Sequence, residues 1–203
     1  MSWLREPGAE PIPGYRLLEP LGSGGFGEVW KCLAPGEILK AIKFIYGNIH
    51  SADIDAARAE QEWKALQRVK EVRHRSVLSI ERIDNVDGDI AIVMELADKN
   101  LFDLLVECQA AGQPGIPRAD LIEYLKDAAE GLDFLYERFS LQHLDVKPRN
   151  LFLMSGHVKV ADFGLVKNLE RPSSAGIMAG VTPIYAAPES LNGRISRHSD
   201  QYS

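Results

Sequence analysis

The sequence predicts an α+β fold of two lobes, a β-rich first half followed by a mainly helical second half. Short β-rich runs occupy residues 15–46, and a helical stretch at about 52–72 precedes two further strand candidates. The pattern changes after Asn100: glycines and prolines at 112–117 predict a loop, which leads into an amphipathic helix expected over 118–139. We therefore place the boundary between the lobes near Ala97.

The composition is typical of a globular chain. Hydrophobic residues make up 45% of the 203 positions and charged residues 26%, which suffices for a packed core and argues against disorder. The net charge of −6 makes nucleic acid and anionic membrane surfaces poor candidates as partners. Cys32 and Cys108 are too few for a disulfide framework, and no apolar run is long enough to cross a membrane. A soluble cytoplasmic protein is expected, although a longer parent protein could carry a membrane segment elsewhere.

The first half divides into an arm and a small lobe. Residues 1–14 contain three prolines and are expected to be irregular, whereas residues 15–96 form the predicted small lobe. Its strand candidates are YRLLEPLG, GEVWKCL, ILKAIKFIY, VLSIERIDN and IAIVMEL, the last two separated by the turn Asp87-Gly88.

The second half, residues 97–203, is the predicted large lobe. Short strands are expected at LFLM and HVKVAD, followed by a stretch rich in glycine, proline and serine. The apolar residues of the long helix recur at steps of three and four, the spacing of a buried stripe: Leu121, Leu125, Ala128, Leu132, Leu135 and Phe139.

The first motif that carries chemistry is Gly22-Ser23-Gly24-Gly25-Phe26-Gly27-Glu28-Val29. Glycines at these offsets let a strand–turn–strand approach phosphate groups, because a side chain would block the backbone. An ordinary glycine-rich hairpin and a dinucleotide site are the alternatives. The dinucleotide fingerprint opens a helix, however, whereas GEVWKCL is predicted to be a strand.

A lysine inside an apolar strand is the second motif. Lys43 lies in the run Ala41-Ile42-Lys43, where an ammonium group is costly unless it is paired. Glu62 can supply that pairing, since it shares a helix face with Leu66 and Val69. The alternative for Glu62 is a solvated side chain paired with Arg58 one turn earlier.

Two further motifs lie in the second half. The run from His143 to Asn150, HLDVKPRN, holds a carboxylate, an ammonium and an amide oxygen within six residues. These groups suit the orientation of a hydroxyl, the neutralisation of a transferring phosphoryl group and the binding of a divalent cation. Asp162 precedes Phe163-Gly164 at a strand end, a common position for an oxygen ligand of Mg²⁺. Each motif alone is also compatible with ordinary polar loop residues.

The order of these motifs resembles that of the eukaryotic-like Ser/Thr protein kinases, from Tyr15 to the last residue. The glycine loop, AIK, the helix glutamate, HxDxKxxN, DFG and Ala187-Pro188-Glu189 follow one another as in that family. The resemblance implies a bilobal protein-kinase-like fold and an ATP- and Mg²⁺-dependent enzyme that phosphorylates serine or threonine hydroxyls of a protein substrate. The final residues resemble the first turn of a central helix, so the large lobe is expected to be incomplete.

The resemblance also implies roles for individual residues. Lys43 would hold the α- and β-phosphates while paired with Glu62, and Asn150 and Asp162 would hold Mg²⁺. The implied catalytic residues are Lys43, Glu62, Asp145, which would orient the substrate hydroxyl, and Lys147, which would contact the γ-phosphate. The implied ATP-binding residues are Leu21, Gly22, Ser23, Gly24, Gly25, Phe26, Gly27, Val29, Ala41, Lys43, Met94, Glu95, Ala97 and Phe152.

Two features bear on substrate and regulation. Lys147, two residues after Asp145, and the segment GVTPIY before Ala187 resemble the Ser/Thr branch rather than the tyrosine kinases. Arg149 stands where basic-directed relatives often carry a glutamate, which predicts a mild preference for neutral or acidic residues upstream of the acceptor.

One departure from the family pattern leaves an alternative function open. Leu144 replaces an arginine that in many kinases pairs with a phosphate on the activation segment. Phosphorylation of Ser173 or Ser174 is therefore expected to change activity only modestly. A non-catalytic kinase-like binding module, or an inactive truncated fragment, is the alternative to an enzyme.

Overall fold

The computed structural model describes residues 5–24, 27–45, 66–162, 167–168, 182–192, 194, 196 and 198–203. By internal contacts the chain separates into two units, Met1–Glu71 with Ser79–Leu96 and Val72–Leu78 with Ala97–Ser203. The boundaries that the sequence predicts for the arm and the two lobes remain predictions. Several residues singled out in the sequence lie outside the described residues: Gly25, Phe26, Glu62, Phe163, Gly164, Ser173 and Ser174.

The first unit is built on a five-stranded antiparallel sheet of order β1-β2-β3-β5-β4. Its strands are β1 Arg16–Gly24, β2 Gly27–Ala34, β3 Ile38–Ile45, β4 Ile80–Val86 and β5 Asp89–Glu95. The strand predictions are confirmed, although β4 begins three residues later than expected. Asp87 and Gly88 both have positive φ, 53° and 94°, as the tight β4–β5 hairpin requires.

A core lies against one face of this sheet. The alternation of β2 and β3 buries Trp30, Cys32, Ile42 and Phe44, which cluster with Leu17 and Ile12. Residues 66–70 are helical, and Leu66 and Val69 are both buried, as predicted from their shared helix face. The arm contributes to the unit as well, since Ile12 is only 1% exposed.

The second unit contains two long helices and two small sheets. Its helices are α1 Leu101–Ala110, α2 Arg118–Phe139, α3 Pro188–Leu191 and α4 Ser199–Tyr202, with a 3₁₀ turn at Pro148–Asn150. Its strands are β6 Lys99–Asn100, β7 Leu141–Gln142, β8 Leu151–Met154, β9 His157–Val160 and β10 Lys167–Asn168. They form sheets of order β6-β8-β9 and β7-β10.

Two expectations for this unit were wrong. No helix was expected between Asn100 and the loop at 112–117, but residues 101–110 form α1. In α2 the predicted stripe is only partly buried: Ala128 and Leu135 are in the core, whereas Leu125 is 50% exposed. Leu125 lines a cavity of about 910 Å³ with residues of α1 and α2, because the face of α2 that carries it is turned toward this cavity rather than into the core.

The segment Val72–Leu78 is anchored within the second unit. The Leu78 amide donates to the Val160 carbonyl at 2.9 Å, and the Val160 amide donates to the Ser76 carbonyl at 2.8 Å. Gly131 of α2 permits this close approach, since an added Cβ would lie 2.5 Å from the Ser76 oxygen. None of the described helices combines the length and apolar character that a membrane span requires.

Candidate active site

The glycine-rich hairpin joins β1 to β2. Gly24 pairs with Gly27 and Gly22 pairs with Val29 across the antiparallel ladder. Gly27 has φ +150°, and an added Cβ there would lie 1.8 Å from the Phe44 carbonyl oxygen of β3. At Gly22 an added Cβ meets no described atom within 4 Å. Backbone packing therefore requires glycine at position 27, whereas Gly22 leaves strand β1 open to a ligand.

One face of the same sheet carries the predicted nucleotide-binding side chains. Val29 pairs with Lys43, and Lys43 pairs with Ile92 of β5. Ala41 pairs with Met94 in the neighbouring row and is buried, while Lys43 is half-buried. Cross-strand partners share a face of a sheet, so the lysine lies among apolar neighbours beside the hairpin.

The end of β5 is fixed by hydrogen bonds within the first unit. The Glu95 amide donates to the Ser79 carbonyl at 3.2 Å, and the Ser79 amide donates to the Glu95 carboxylate at 2.9 Å. Leu21, Gly22 and Ser23 are exposed on β1. Ala97 and Phe152, the remaining predicted adenine neighbours within the described residues, belong to the second unit, where both are half-buried.

In the second unit, Asp145, Lys147 and Thr182 form a closed triangle of contacts. The Lys147 ammonium lies 2.6 Å from Asp145 Oδ2 and donates to Thr182 Oγ1 at 2.9 Å. The Thr182 hydroxyl in turn donates to Asp145 Oδ1 at 2.8 Å. The Asp145 and Lys147 side chains are 10% and 21% exposed, so both charges are held in a largely desolvated setting that strengthens their interaction.

Asn150 and Asp162 provide oxygen atoms of the type that Mg²⁺ prefers. The Asn150 side chain is buried and uses its Nδ2 on Asp145, donating to the backbone oxygen at 2.8 Å and to Oδ2 at 3.0 Å. Both bonds use the amide nitrogen, which makes the carbonyl oxygen Oδ1 the atom suited to a cation. The backbone amide of Ala161 donates to the backbone carbonyl of Asn150 at 3.0 Å. Asp162 is the residue directly after this contact. Asp162 is exposed and has φ +65°, an uncommon conformation for a residue with a side chain.

Hydrogen bonds of Asp200 and of the buried His143 hold the loop that carries Asp145. Asp200 of α4 accepts hydrogen bonds from the amides of His143 and Leu144, at 2.8 and 2.7 Å. Leu144 has φ +63°, and these two charge-assisted bonds offset the cost of about 1–2 kcal/mol of that left-handed conformation. His143 is fully buried and lies 2.7 Å through Nε2 from the Ala161 carbonyl, while its Nδ1 accepts from the Asp145 amide at 3.3 Å. This pair of contacts fits the neutral tautomer protonated on Nε2.

The structure thus brings together four of the residues singled out in the second unit, namely Asp145, Lys147, Asn150 and Asp162, around one loop. It adds two residues to which the sequence assigned no role there, Thr182 and Asp200. Their contacts span 37 and 57 positions of the chain, so local pattern carries little signal for them. The GVTPIY segment contributed to the family resemblance, but it gave no indication that Thr182 contacts Asp145 or Lys147.

A glycine-rich hairpin with a strand lysine in one unit, and an Asp-Lys-Asn loop followed by a second aspartate in the other, are the parts of a phosphotransferase. A match to the protein kinase domain family covers residues 15–203. The chain belongs to the protein kinase family.

Its relatives include kinases of two specificities. The chain is 30% identical to the serine/threonine-protein kinase pkn2 of Myxococcus xanthus over 203 residues, covering 93% of this chain and 23% of that protein. It is 30% identical to the serine/threonine-protein kinase PknF of Mycobacterium tuberculosis, over 94% of this chain and 40% of that protein. It is also 32% identical to the mouse tyrosine-protein kinase Srms, over 95% and 38%. The chain therefore spans less than half the length of these three relatives.

Proposed function

We propose that the protein containing this chain is an ATP- and Mg²⁺-dependent protein serine/threonine kinase, which transfers the γ-phosphoryl group of ATP to serine or threonine hydroxyls. The observation that carries the proposal is the triangle of Asp145, Lys147 and Thr182. It holds a carboxylate, an ammonium and a hydroxyl within hydrogen-bond distance of one another, ready to receive an acceptor hydroxyl and a phosphoryl group.

The chemistry assigned to this loop is positioning and charge neutralisation. Asp145 accepts a hydrogen bond from the acceptor hydroxyl and takes its proton as the oxygen–phosphorus bond forms. The β–γ bridging oxygen of ATP leaves with the electron pair of the broken bond, as part of ADP. Lys147, held 2.6 Å from Asp145, offsets the negative charge on the transferring phosphoryl oxygens.

The nucleotide would be held by backbone and side-chain groups of the first unit. The hairpin amides around Gly22, Gly24 and Gly27 would face the phosphates, and Lys43 would contact them while paired with Glu62. Val29, Ala41 and Met94 lie in neighbouring rows of one face of the sheet and would contact the adenine ring. Ala97 and Phe152 are further proposed adenine contacts. The remaining proposed contacts are Leu21, Ser23, Gly25, Phe26 and Glu95.

Asn150 and Asp162 would hold the metal ion. A bound Mg²⁺ would supply positive charge to the phosphate oxygens and lower the barrier to transfer. The donor set of this chain fits that ion, since the Asn150 carbonyl oxygen and the Asp162 carboxylate are both hard oxygen ligands. Asn150 also donates to Asp145, so the ligand and the proton acceptor hold each other in position.

The position of Thr182 favours a serine or threonine acceptor over tyrosine. The Thr182 hydroxyl, which is attached to Cβ, donates to Asp145 Oδ1 at 2.8 Å. A substrate backbone at a similar distance from Asp145 can present a serine or threonine hydroxyl in the same way, whereas a tyrosine hydroxyl lies a whole ring further from its backbone. This argument agrees with the resemblance of Lys147 and its surroundings to the Ser/Thr branch.

The test is phosphoryl transfer by the full-length protein to three peptides that differ only in presenting Ser, Thr or Tyr. We expect Mg²⁺-dependent transfer to Ser and Thr at least tenfold faster than to Tyr. Asp145→Asn should lower the rate by a hundredfold or more without weakening Mg–ATP binding, because it removes the proton acceptor. Asp120→Asn, an exposed carboxylate of α2, is the matched control and should leave the rate unchanged.

Two results would contradict the proposal. Faster transfer to the tyrosine peptide would overturn the specificity. Binding of Mg–ATP without transfer to any peptide, or equal rates for Asp145→Asn and the native protein, would instead favour a non-catalytic kinase-like binding module.

A further inference from the structure

The N-terminal arm, residues 5–14, lies before the range matched to the protein kinase family, yet it is part of the first unit. The Gly8 amide donates to the Leu17 carbonyl and the Leu17 amide donates to the Ala9 carbonyl, both at 2.8 Å. These bonds fix the arm on β1, the edge strand of the sheet. Ile12 then enters the core beside Trp30, which makes the arm a covering layer rather than a free tail.

Arg5, within this arm, reaches three neighbouring strands with one guanidinium group. It donates to the Glu28 carboxylate of β2 at 2.9 Å and to the Asp89 carboxylate of β5. Its guanidinium carbon also lies 4.4 Å from the centroid of the Phe44 ring on β3, between those strands. The three partners share one face of the sheet, because Glu28 pairs with Phe44 and Phe44 pairs with Ala91.

The setting makes these contacts stronger than those of an ordinary surface ion pair. The side chains of Arg5, Glu28 and Asp89 are 17%, 18% and 24% exposed, and Phe44 is fully buried. Partial burial reduces screening of the charges, and the aromatic face adds a cation–π contact. Only a planar, forked guanidinium can serve two carboxylates and a ring at once, so a lysine is a poor substitute.

The position of Glu28 gives this cluster a consequence for nucleotide binding. Glu28 follows Gly27 directly and pairs with Ser23 across the base of the glycine-rich hairpin. The β1–β2 pairing is irregular between Pro20 and Gly22, so the regular ladder of β1 is interrupted just before the hairpin. Fixing Glu28 therefore fixes the base from which the hairpin extends.

We propose that Arg5 is a positioning residue that holds the glycine-rich hairpin in place for ATP, by linking Glu28 of β2 to Phe44 and Asp89. The effect on ATP rests on the proposed function, whereas the effect on the hairpin itself does not. The arm would thereby couple a segment outside the family match to the affinity of the enzyme for nucleotide.

The test compares the full-length native protein with Arg5→Gln, Glu28→Gln and the double variant. Amide hydrogen exchange is measured without nucleotide, and Mg–ATP affinity is measured separately by calorimetry. We expect Arg5→Gln to speed exchange in residues 22–29 about tenfold while residues 80–86 of β4 stay unchanged. Its Kd for Mg–ATP should rise about fivefold. The double variant should show no larger change in exchange or in Kd than Arg5→Gln, because both substitutions break the same Arg5–Glu28 contact.

The matched control is Lys31→Gln. Lys31 lies on the same strand and pairs with Glu19 of β1 at 2.9 Å, so its removal breaks an ion pair of β2 that is remote from the hairpin base. This variant should leave both measurements within twofold of the native values. Arg5→Lys should fall between Arg5→Gln and the native protein.

Each other outcome overturns a distinct part of the proposal. Native exchange rates at 22–29 in Arg5→Gln would refute the positioning role, as would an equal effect of Lys31→Gln. A uniform increase that includes residues 80–86 would mean that Arg5 stabilises the sheet as a whole. If the native protein binds no Mg–ATP, the proposed function fails, while the exchange data still decide whether Arg5 fixes the hairpin.

Discussion

The loop that carries Asp145, residues 143–150, and the glycine-rich hairpin are held in place by different means. In the loop, Asp145 is fixed by side chains from distant parts of the chain, and Asp200 binds the two amides just before it. In the hairpin, strand pairing and backbone clearance at Gly27 set the conformation, with Arg5 adding one polar anchor.

This difference fits what the proposed function requires of each region. A loop that places a carboxylate and an ammonium 2.6 Å apart needs buried partners to fix both charges. A hairpin that offers backbone amides to phosphates needs space, and glycine provides it. Changes to side chains should therefore damage the loop most, and changes that add a Cβ should damage the hairpin most.

The largest expected effect comes from Asp200→Ala. This change leaves the amides of His143 and Leu144 without their acceptor, and each unsatisfied buried donor costs about 1–3 kcal/mol. We expect the free energy of unfolding to fall by about 3 kcal/mol and kcat to fall at least a hundredfold. Urea denaturation and peptide phosphorylation measure the two effects.

Asp200→Asn refines this first prediction. The amide retains one acceptor oxygen but turns an NH₂ group toward the second backbone amide, so an intermediate loss is expected. Asp120→Ala serves as the exposed control. Native stability in Asp200→Ala would show that the loop keeps its conformation without the carboxylate.

The second prediction concerns the hairpin. Gly27→Ala places a Cβ 1.8 Å from the Phe44 carbonyl oxygen, so β2 and β3 must separate at the hairpin base. We expect a loss of about 2 kcal/mol in unfolding free energy, similar to other overpacked sites. Gly22→Ala, where an added Cβ meets no described atom within 4 Å, should change stability by less than about 0.5 kcal/mol. Equal losses in the two variants would mean that clearance at Gly27 does not limit the hairpin.

Regular elements were predicted from the sequence where local pattern and burial agree. Strands β2, β3 and β5 alternate or run apolar between turn residues, and α2 has the periodicity of a helix. Helix α1 was missed because its length is only ten residues and the glycines and prolines that follow suggest a loop. Its start was nevertheless readable: the Asn100 side chain accepts from the Asp103 amide at 2.9 Å, an N-cap at the spacing of a capping box.

The features that the sequence did not predict depend on long-range contacts. Nothing within a few residues of Asp200 or Thr182 indicates that either will contact the loop at Asp145. The arm was predicted to be irregular from its three prolines, and no local periodicity reveals that Arg5 and Ile12 join the first unit. The exposure of Leu125 has the same origin, because periodicity defines an apolar face but not what covers it.

The third prediction tests the triangle of Asp145, Lys147 and Thr182. Thr182→Val keeps the shape of the side chain but removes two hydrogen bonds, one to Asp145 and one from Lys147. Each is worth about 1 kcal/mol, so the loss of both corresponds to about thirtyfold in rate. Because the Lys147–Asp145 contact remains, we expect kcat to fall by no more than about thirtyfold. The KM for ATP should change less than threefold. Thr182→Ser retains the hydroxyl and should recover most of the rate, and an equal loss in both variants would point to the methyl group instead.

The smallest expected effect concerns the substrate. Arg149 is exposed, and its guanidinium carbon lies 3.9 Å from the centroid of the Phe102 ring at the start of α1. A cation–π contact of about 0.5–1 kcal/mol holds the side chain in place without neutralising it. A positive charge is thus fixed one residue before Asn150, which binds Asp145.

This fixed charge should repel a basic residue just upstream of the acceptor. Screening at an exposed site limits the repulsion to less than about 1 kcal/mol, which corresponds to a several-fold preference. We expect kcat/KM to be several-fold higher for a peptide with Glu two or three residues before the acceptor than for its Lys counterpart. Arg149→Glu should invert that preference and Arg149→Gln should abolish it, while Arg118→Glu, an exposed arginine at the start of α2, should leave it unchanged. Because Phe102 fixes the guanidinium, Phe102→Leu should weaken the preference without inverting it. A native preference for Lys at those positions would show that another group reads the upstream residues.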